Sequence, residues 1–229
     1  MIPVGSEEPT PRRRFPIITL TLFASNLVVF LYEMSLTENS LNSFFINYGA
    51  VPLLILRGLN LSSLITSIFI HAGIAHIAFN MLYLIVFGDN VEDKLGHIRY
   101  FLFYFVSGLL ATFAQITFDA NSPIPSVGAS GAIAGILSSY ILFFPQGNIR
   151  AFIFIGPFIR ISRVPALVFI GFWFITQFLN GLLSLGVNTA ETGGVAYWAH
   201  IGGFLAGLIM TLIFKSKEHS EHQQGHESY

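Results

Sequence analysis

Apolar stretches long enough to approach or cross a lipid bilayer recur along the chain, separated by shorter polar connections. A spanning helix needs about 20 mainly apolar residues. The stretches that meet or approach this length are roughly 16–34, 71–88, 98–118, 130–144, 164–185 and 197–214. The fourth is the shortest, with about 22 Å of helix rise against a hydrocarbon core of about 30 Å. The pattern predicts an all-α membrane protein, a six-helix transmembrane bundle with a short fourth helix that begins at Ser130.

The chain divides into three parts on this pattern. Residues 1–15 are expected to be a cytoplasmic N-terminal tail, 16–214 the six-helix core, and 215–229 a polar, disordered cytoplasmic C-terminal tail. The long connection 35–70 is semi-apolar and broken by glycine and proline, so we expect it to lie in the membrane interface. The short apolar segment 151–159 is split by Gly-Pro and is expected to form a loop hairpin resting on the membrane.

Composition supports a membrane protein and excludes several kinds of chemistry. Hydrophobic residues make up 53% of the chain and charged residues only 10%, which does not fit a soluble surface. There are no cysteines, so disulfides, thiol catalysis and thiolate metal sites are excluded. The net charge of −1 gives no reason to expect a nucleic-acid partner. Arg12, Arg13 and Arg14 precede an apolar run that lacks a small-residue cleavage site, which indicates a retained anchor.

The basic residues predict the orientation of the bundle. If the N-terminus is cytoplasmic, ten of the eleven lysines and arginines fall on the cytoplasmic side, and only Arg57 falls outside. Both termini are then cytoplasmic, and the connection 119–129 lies on the outer face. With a short N-terminal tail and no organelle presequence, a prokaryotic plasma membrane is the expected location.

Five polar residues in or at the ends of the spans are candidates for chemistry, because polar groups inside a bilayer are costly. They are His71, His76, Asn80, Ser130 and His200. His76 and Asn80 are four apart and share one helix face. His71 and His76 are five apart, about 140° around a helix, so we do not expect them to bind one metal ion. Neither a metal nor a cofactor is expected.

Ser130 stands between Ala129 and Gly131 in "GASG", a pattern that is weak by itself because serine is common where transmembrane helices touch. The short fourth helix places this serine below the membrane surface, where irregular backbone needs protein or water around it. Small-xxx-small stripes would let the fourth and sixth helices pack closely. The residues of these stripes are Gly131 and Gly135 in the fourth helix, and Ala199, Gly203 and Gly207 in the sixth. His200 would then face Ser130 as the general base of a nucleophile.

An oxyanion formed by attack of Ser130 would need hydrogen-bond donors close by. His76 and Asn80 offer side-chain donors, and the first amides of the fourth helix lack partners within the helix. The sequence therefore places the candidate chemistry at the outer ends of the second, fourth and sixth helices.

Four segments in this order resemble the rhomboid family of intramembrane serine proteases, over roughly residues 16–214. They are "HAGIAHIAFN" at 71–80, "VEDKLGHIRYFLFYFVSG" at 91–108, "GASGAIAG" at 128–135 and "AHIGGFLAG" at 199–207. The resemblance implies a six-helix rhomboid fold, a Ser130–His200 dyad without an acidic third member, and His76 and Asn80 in the oxyanion hole. It implies structural roles near the site for His71, Gly128, Gly131, Gly203 and Gly207.

The resemblance also implies that Glu92 and Gly96 are structural, in a loop after the second helix where Glu92 satisfies backbone groups. One departure is the absence of a Trp-Arg pair from the connection 35–70, which many members of the family carry there. The conformation of this connection is therefore not predicted from the family.

The resemblance implies that the substrates are single-span membrane proteins, cut in or near their transmembrane segment. They would enter sideways between the second and fifth helices, where Phe79, Phe172 and Trp173 could form a gate. Two alternatives remain open. One is an inactive rhomboid relative that binds membrane clients, and the other is a small transporter lined by histidines.

Overall fold

The protein is a mostly helical bundle with a small β-sheet at one end. The computed structural model describes residues 1–9, 13–156, 158–185 and 195–227. The helices in this part of the chain are α1 Ile17–Met34, α2 Glu38–Tyr48, α3 Pro52–Leu56, α4 Ser63–Thr66, α5 Ile74–Tyr83, α6 Asp89–Leu95, α7 His97–Phe118, α8 Ser130–Phe143, α9 Ala166–Leu183 and α10 Tyr197–Glu227. The strands are β1 Ile2–Glu7, β2 Asn148–Ile155 and β3 Phe158–Pro165.

Five helical segments within the described residues are long and apolar enough to cross a membrane. They are Ile17–Met34, Ile74–Leu95, His97–Phe118, Ala166–Leu183 and Tyr197–Ser216. The second of them joins α5 to α6 through a π-helical turn at Leu84–Gly88. The predicted fourth span is α8, an apolar helix of 14 residues that is too short to meet the same length criterion. The five long apolar helices confirm the predicted helical membrane bundle, and the count of six spans stays a prediction.

Helix α8 lies at the centre of the bundle. Every residue from Gly131 to Tyr140 is buried, so this helix has no face towards lipid. Phe87 packs against its far half, where the rings of Phe87 and of Tyr140 in α8 meet edge to face with centroids 5.1 Å apart. By contrast, α1, α7, α9 and α10 carry many exposed leucines, isoleucines and phenylalanines. Such outward apolar surface suits a bilayer and would be costly in water.

The second span begins later and extends further than the sequence predicts. It starts at Ile74 rather than at residue 71, because Gly73 precedes the helix with extended backbone. His71 therefore lies in the approach to the helix. At its other end the helix continues to Leu95, so Glu92 lies in α6 and not in a loop as predicted. Gly96, with φ of +76°, separates α6 from α7 in a conformation that side-chain-bearing residues rarely adopt.

The N-terminal segment forms part of a three-stranded antiparallel sheet that the sequence analysis did not predict. The strand order is β1-β2-β3, with Ile2 opposite Phe152 and Asn148 opposite Pro165. The predicted loop hairpin at 151–159 is thus a longer β-hairpin. Ion pairs from Glu7 to Arg150 and Arg163 join β1 to the two strands of this hairpin. A strand can be formed here because β1 finds open backbone groups along β2, which lies far away in sequence.

The predictions for the connection 35–70, the C-terminal tail and the N-terminal arginines can also be compared with the structure. The connection 35–70 contains α2, α3 and α4 with a short 3-10 turn at Ser67–Phe69. The tail was expected to be disordered, but helix α10 continues into it as far as Glu227. Arg12, one of the basic residues that predict orientation, lies outside the described residues.

Candidate active site

Ser130 is the first residue of α8, at the end of the loop that follows α7. The loop is tied to the preceding structure by the Gly128 N–H, which donates to the Ser67 carbonyl at 2.9 Å. Because the first amides of a helix have no partner within it, the backbone around Ser130 can offer N–H groups to a developing negative charge. A cavity of about 20 Å³, lined in part by Ser67, Gly128 and Ser130, lies beside this helix end.

Helices α8 and α10 touch through their backbones. A Cβ added to Gly203 would overlap the carbonyl oxygen of Gly131 and lie 2.8 Å from its carbon. One turn further along, a Cβ at Gly207 would lie 2.5 Å from the Gly135 Cα. Glycine is thus required at both crossings, and the predicted small-residue stripes are the surface through which these helices pack.

This close packing brings His200 to Ser130. The Ser130 Oγ lies 2.8 Å from His200 Nε2, which is within ordinary hydrogen-bond range. His200 is in the first turn of α10, and its own N–H donates to the Ala196 carbonyl at 3.3 Å. A serine hydroxyl bonded to an imidazole nitrogen is the arrangement of an activated nucleophile.

The other imidazole nitrogen of His200 also has a partner. Its Nδ1 lies 2.8 Å from Oε1 of Gln177, a residue of α9. The Trp173 indole, one turn earlier on α9, lies beside the imidazole with ring centroids 5.7 Å apart. Both ring nitrogens of His200 are therefore occupied by uncharged groups.

His76 and Asn80 lie against the loop that leads to Ser130. A Cβ at Gly128, which has φ of +120°, would stand 2.7 Å from His76 Nε2 and 3.7 Å from Asn80 Nδ2. Asn80 also donates from Nδ2 to the His76 carbonyl at 3.1 Å. The structure thus brings both predicted donors to Gly128, two residues before Ser130, and only glycine at 128 leaves room for them.

His71 packs against His76 in a way that the sequence analysis did not anticipate. The two rings meet at 65° with centroids 5.1 Å apart. Because His71 precedes the helix, the helical-wheel angle of about 140° does not apply to it, and that step of the prediction was wrong. The described residues contain no group of three His, Asp or Glu side chains placed to hold a metal ion.

With this geometry established, comparison with known proteins identifies the family. The sequence model of the Rhomboid domain matches residues 59–217, more than half of the chain. The chain belongs to the rhomboid family. It is 35% identical to Rhomboid protease GluP of Bacillus subtilis (strain 168) over 150 residues, and 32% identical to RHOMBOID-like protein 4 of Arabidopsis thaliana, also over 150 residues.

These matches cover about two thirds of this chain but only about a quarter to a third of the length of each relative. The aligned parts are 65% of this chain and 26% of the Bacillus protein, and 66% of this chain and 33% of the Arabidopsis protein. A third relative, Inactive RHOMBOID-like protein 8 of Arabidopsis thaliana, is 31% identical over 133 residues, 57% of this chain and 34% of that protein. Rhomboid membership supports protease-like function, but the family contains proteins named as inactive.

Glu92 stabilises the rhomboid bundle away from the serine. Its buried carboxylate accepts hydrogen bonds from the Ile18 and Thr19 amides at 2.9 and 2.8 Å, and from the Thr19 hydroxyl at 2.7 Å. His97 Nδ1 lies 2.6 Å from the same carboxylate. Glu92 therefore caps the start of α1, where amides lack helical partners.

The predicted gate residues belong to α5 and α9, with Phe79 in α5 and Phe172 and Trp173 in α9. Phe79 and Phe172 are 49% and 55% exposed, so neither belongs to the packed core. The two helices meet deeper in the bundle, where the rings of Tyr83 and Phe169 have centroids 6.4 Å apart. A gate formed by Phe79, Phe172 and Trp173 stays a prediction.

Sequence analysis missed two polar residues that contact the site residues. Gln177 bonds to His200, and the buried Glu33 carboxylate accepts from the His71 amide at 3.2 Å. Both lie inside apolar spans, where any polar group is a functional candidate. The same argument that selected His76 and Asn80 would have selected them.

Proposed function

We propose that this protein is an intramembrane serine endopeptidase that uses a Ser130–His200 dyad. The observation that carries the proposal is the 2.8 Å contact between Ser130 Oγ and His200 Nε2 in a chain of the rhomboid family. The presence of both residues favours an active enzyme over an inactive client-binding relative. A histidine-lined transporter has less support, because both nitrogens of His200 are engaged by neighbouring side chains.

The reaction follows from the two side chains. Ser130 Oγ attacks the carbonyl carbon of the scissile peptide bond while His200 Nε2 takes the hydroxyl proton. His200 then gives that proton to the leaving amine as the C–N bond breaks. Water hydrolyses the resulting ester of Ser130, with His200 again moving the proton, and the free serine is restored.

His76 and Asn80 support this role by their position beside Gly128. Their side chains can donate to the oxyanion of the tetrahedral intermediate, together with backbone N–H groups at the start of α8. Donors fixed in advance stabilise the transition state without reorganisation, which is the largest contribution in many acyl-transfer enzymes.

The proposed substrates are single-span membrane proteins, cut in or near the transmembrane segment. Sideways entry between α5 and α9 is supported by the exposed rings of Phe79 and Phe172. A helical substrate must unwind locally before its carbonyl can reach Ser130, so residues with weak helix propensity near the cut should help.

The proposed orientation has the sheet and both termini in the cytoplasm, and the dyad opening to the outer face. Basic residues at the sheet end support it, because positive charge favours the cytoplasmic side. Arg14 donates to the Asp93 carbonyl there, and Lys215 donates to the Leu142 carbonyl at 3.0 Å. Arg57 lies after α3, whose Leu53 amide donates to Ser122 in the loop before Ser130. A prokaryotic plasma membrane remains the expected location.

The test is cleavage of a model single-span substrate by purified protein in detergent. Wild type should cleave the substrate, and Ser130→Ala should not. Ser43→Ala is the matched control, since Ser43 is an exposed serine whose hydroxyl donates to the Asn39 carbonyl of its own helix. Substantial turnover by a verified Ser130→Ala sample would overturn the proposal, and so would a folded wild-type protein that cleaves no single-span substrate.

A further inference from the structure

We propose that Gln177 is a positioning residue that fixes which nitrogen of His200 carries the proton. It does so as part of a hydrogen-bond chain that runs from the Trp173 carbonyl to Ser130. The inference rests on the proposed protease function, and it adds a part to the site that the Ser130–His200 pair alone does not contain.

The hydrogen-bond chain begins with two contacts inside α9. Thr176 Oγ1 lies 2.6 Å from the Trp173 carbonyl oxygen, which can only accept, so the threonine hydroxyl donates. Its oxygen is then free to accept from Gln177 Nε2, at 3.2 Å. The amide nitrogen of Gln177 is thereby turned towards Thr176, and the amide oxygen is turned towards α10.

The orientation of the amide decides the state of His200. Gln177 Oε1 can only accept, so the His200 Nδ1 that lies 2.8 Å away must carry the hydrogen. In a neutral imidazole the other nitrogen then has a free lone pair. That nitrogen, Nε2, is the one that faces the Ser130 hydroxyl. Each donor in the hydrogen-bond chain meets one acceptor. The Ser130 hydroxyl therefore donates to His200 Nε2, the base that must deprotonate it.

An uncharged acceptor suits this position. In a triad, a carboxylate holds the imidazole in the correct tautomer and also stabilises its charged form. An ionised carboxylate within a membrane span is costly. Gln177 supplies the orientation without the charge, and it is half-buried between α9 and α10. Reversing the amide would place N–H against Nδ1 and leave the hydrogen on Nε2, where it blocks proton transfer from Ser130.

The experiment compares wild-type protein with four variants in detergent, and a fifth, His200→Ala, serves to assign signals. Gln177→Leu removes the oxygen that accepts from His200 Nδ1. Gln177→Glu keeps an accepting oxygen at this position and is the conservative variant that should preserve the wild-type behaviour. Thr176→Val keeps the shape of the side chain but removes the hydroxyl that orients Gln177. The control is Asn180→Leu, which removes an exposed amide from the same helix.

Two readouts are measured for every variant. The first is the ¹⁵N spectrum of histidine-labelled protein, in which the His200 signals are assigned by their loss in His200→Ala. The second is kcat and KM for a single-span substrate. We expect hydrogen on Nδ1 in wild type, Gln177→Glu and Asn180→Leu, and a mixture of tautomers in Gln177→Leu and Thr176→Val. These last two variants should lose kcat by about 10- to 100-fold at unchanged KM, in line with a misplaced catalytic group.

A role limited to helix packing predicts a different result. It would lower the melting temperature of Gln177→Leu and leave the tautomer and the per-molecule kcat as in wild type, and this outcome overturns the inference. Thr176→Val keeps the test decisive if Gln177→Leu does not fold. Wild-type protein that shows hydrogen on Nε2 also overturns it, whether or not the substrate is cleaved. Wild type with hydrogen on Nδ1 but no cleavage counts against the proposed function alone.

Discussion

Substitution of Gly203 by alanine should separate the two halves of the dyad. The new Cβ would lie 2.8 Å from the Gly131 carbonyl carbon and closer to its oxygen, whereas ordinary contacts begin at about 3.4 Å. Helix α10 must therefore move from α8 by about 1 Å or more, because the contact with the oxygen is the tighter of the two. A shift of about 1 Å along the line from Ser130 to His200 would lengthen their contact from 2.8 Å to about 3.8 Å, beyond the range of a hydrogen bond.

We expect Gly203→Ala to lower kcat by about 10²-fold, because displacement of a catalytic group by about 1 Å can cost that much. The matched control is Gly171→Ala in α9, where an added Cβ meets nothing within 4 Å. Turnover of a single-span substrate and thermal unfolding are measured on both variants in the same detergent. Gly171→Ala should behave as wild type. A folded Gly203→Ala protein with wild-type kcat would refute the argument that backbone contact sets the dyad distance.

Four further predictions concern the dyad and its labelling, the oxyanion donors and the buried acid. Ser130→Ala and His200→Ala should each abolish turnover, and the double variant should be no worse, because the two residues act as one unit. A serine-directed fluorophosphonate should label Ser130 slowly, as mapped by mass spectrometry, and His200→Ala should suppress labelling. His76→Ala and Asn80→Ala should lower kcat by up to about 10²–10³-fold with little change in melting temperature; lost stability with preserved kcat would make them packing residues. Glu92→Gln should cost about 1–3 kcal/mol of stability with kcat retained in the folded fraction, measured against exposed Glu38→Gln; equal melting temperatures for these two would contradict the capping role.

The sequence determined the membrane class and most of the bundle. Runs of about 20 apolar residues have no stable alternative to a spanning helix, because the bilayer satisfies no backbone group. Five of the six predicted runs accordingly form long helices, and the remaining one, the fourth along the chain, forms the short α8. The small residues Gly131 and Gly203 also pointed to the α8–α10 contact, since only such residues let two helix backbones touch.

Tertiary structure decided features that depend on residues distant in sequence. The strand Ile2–Glu7 reads as a tail until β2 offers it unpaired backbone groups. Hydrophobic patterning puts His71 on one helix with His76, whereas the extended backbone at Gly73 delays the helix start to Ile74. Each of these outcomes depends on a contact or a backbone turn that hydrophobic patterning does not encode.

The same division applies within the candidate site. Residue type and order singled out Ser130 and His200, because polar groups in apolar spans are costly and small-residue stripes let their two helices pack closely. Gln177 carries no such motif, and its partner is set by how α9 rotates against α10. Once packed, its amide oxygen faces His200 Nδ1 at 2.8 Å. The sequence determined which residues could react, and only the packing of three helices decided which nitrogen of His200 faces the serine hydroxyl as its proton acceptor.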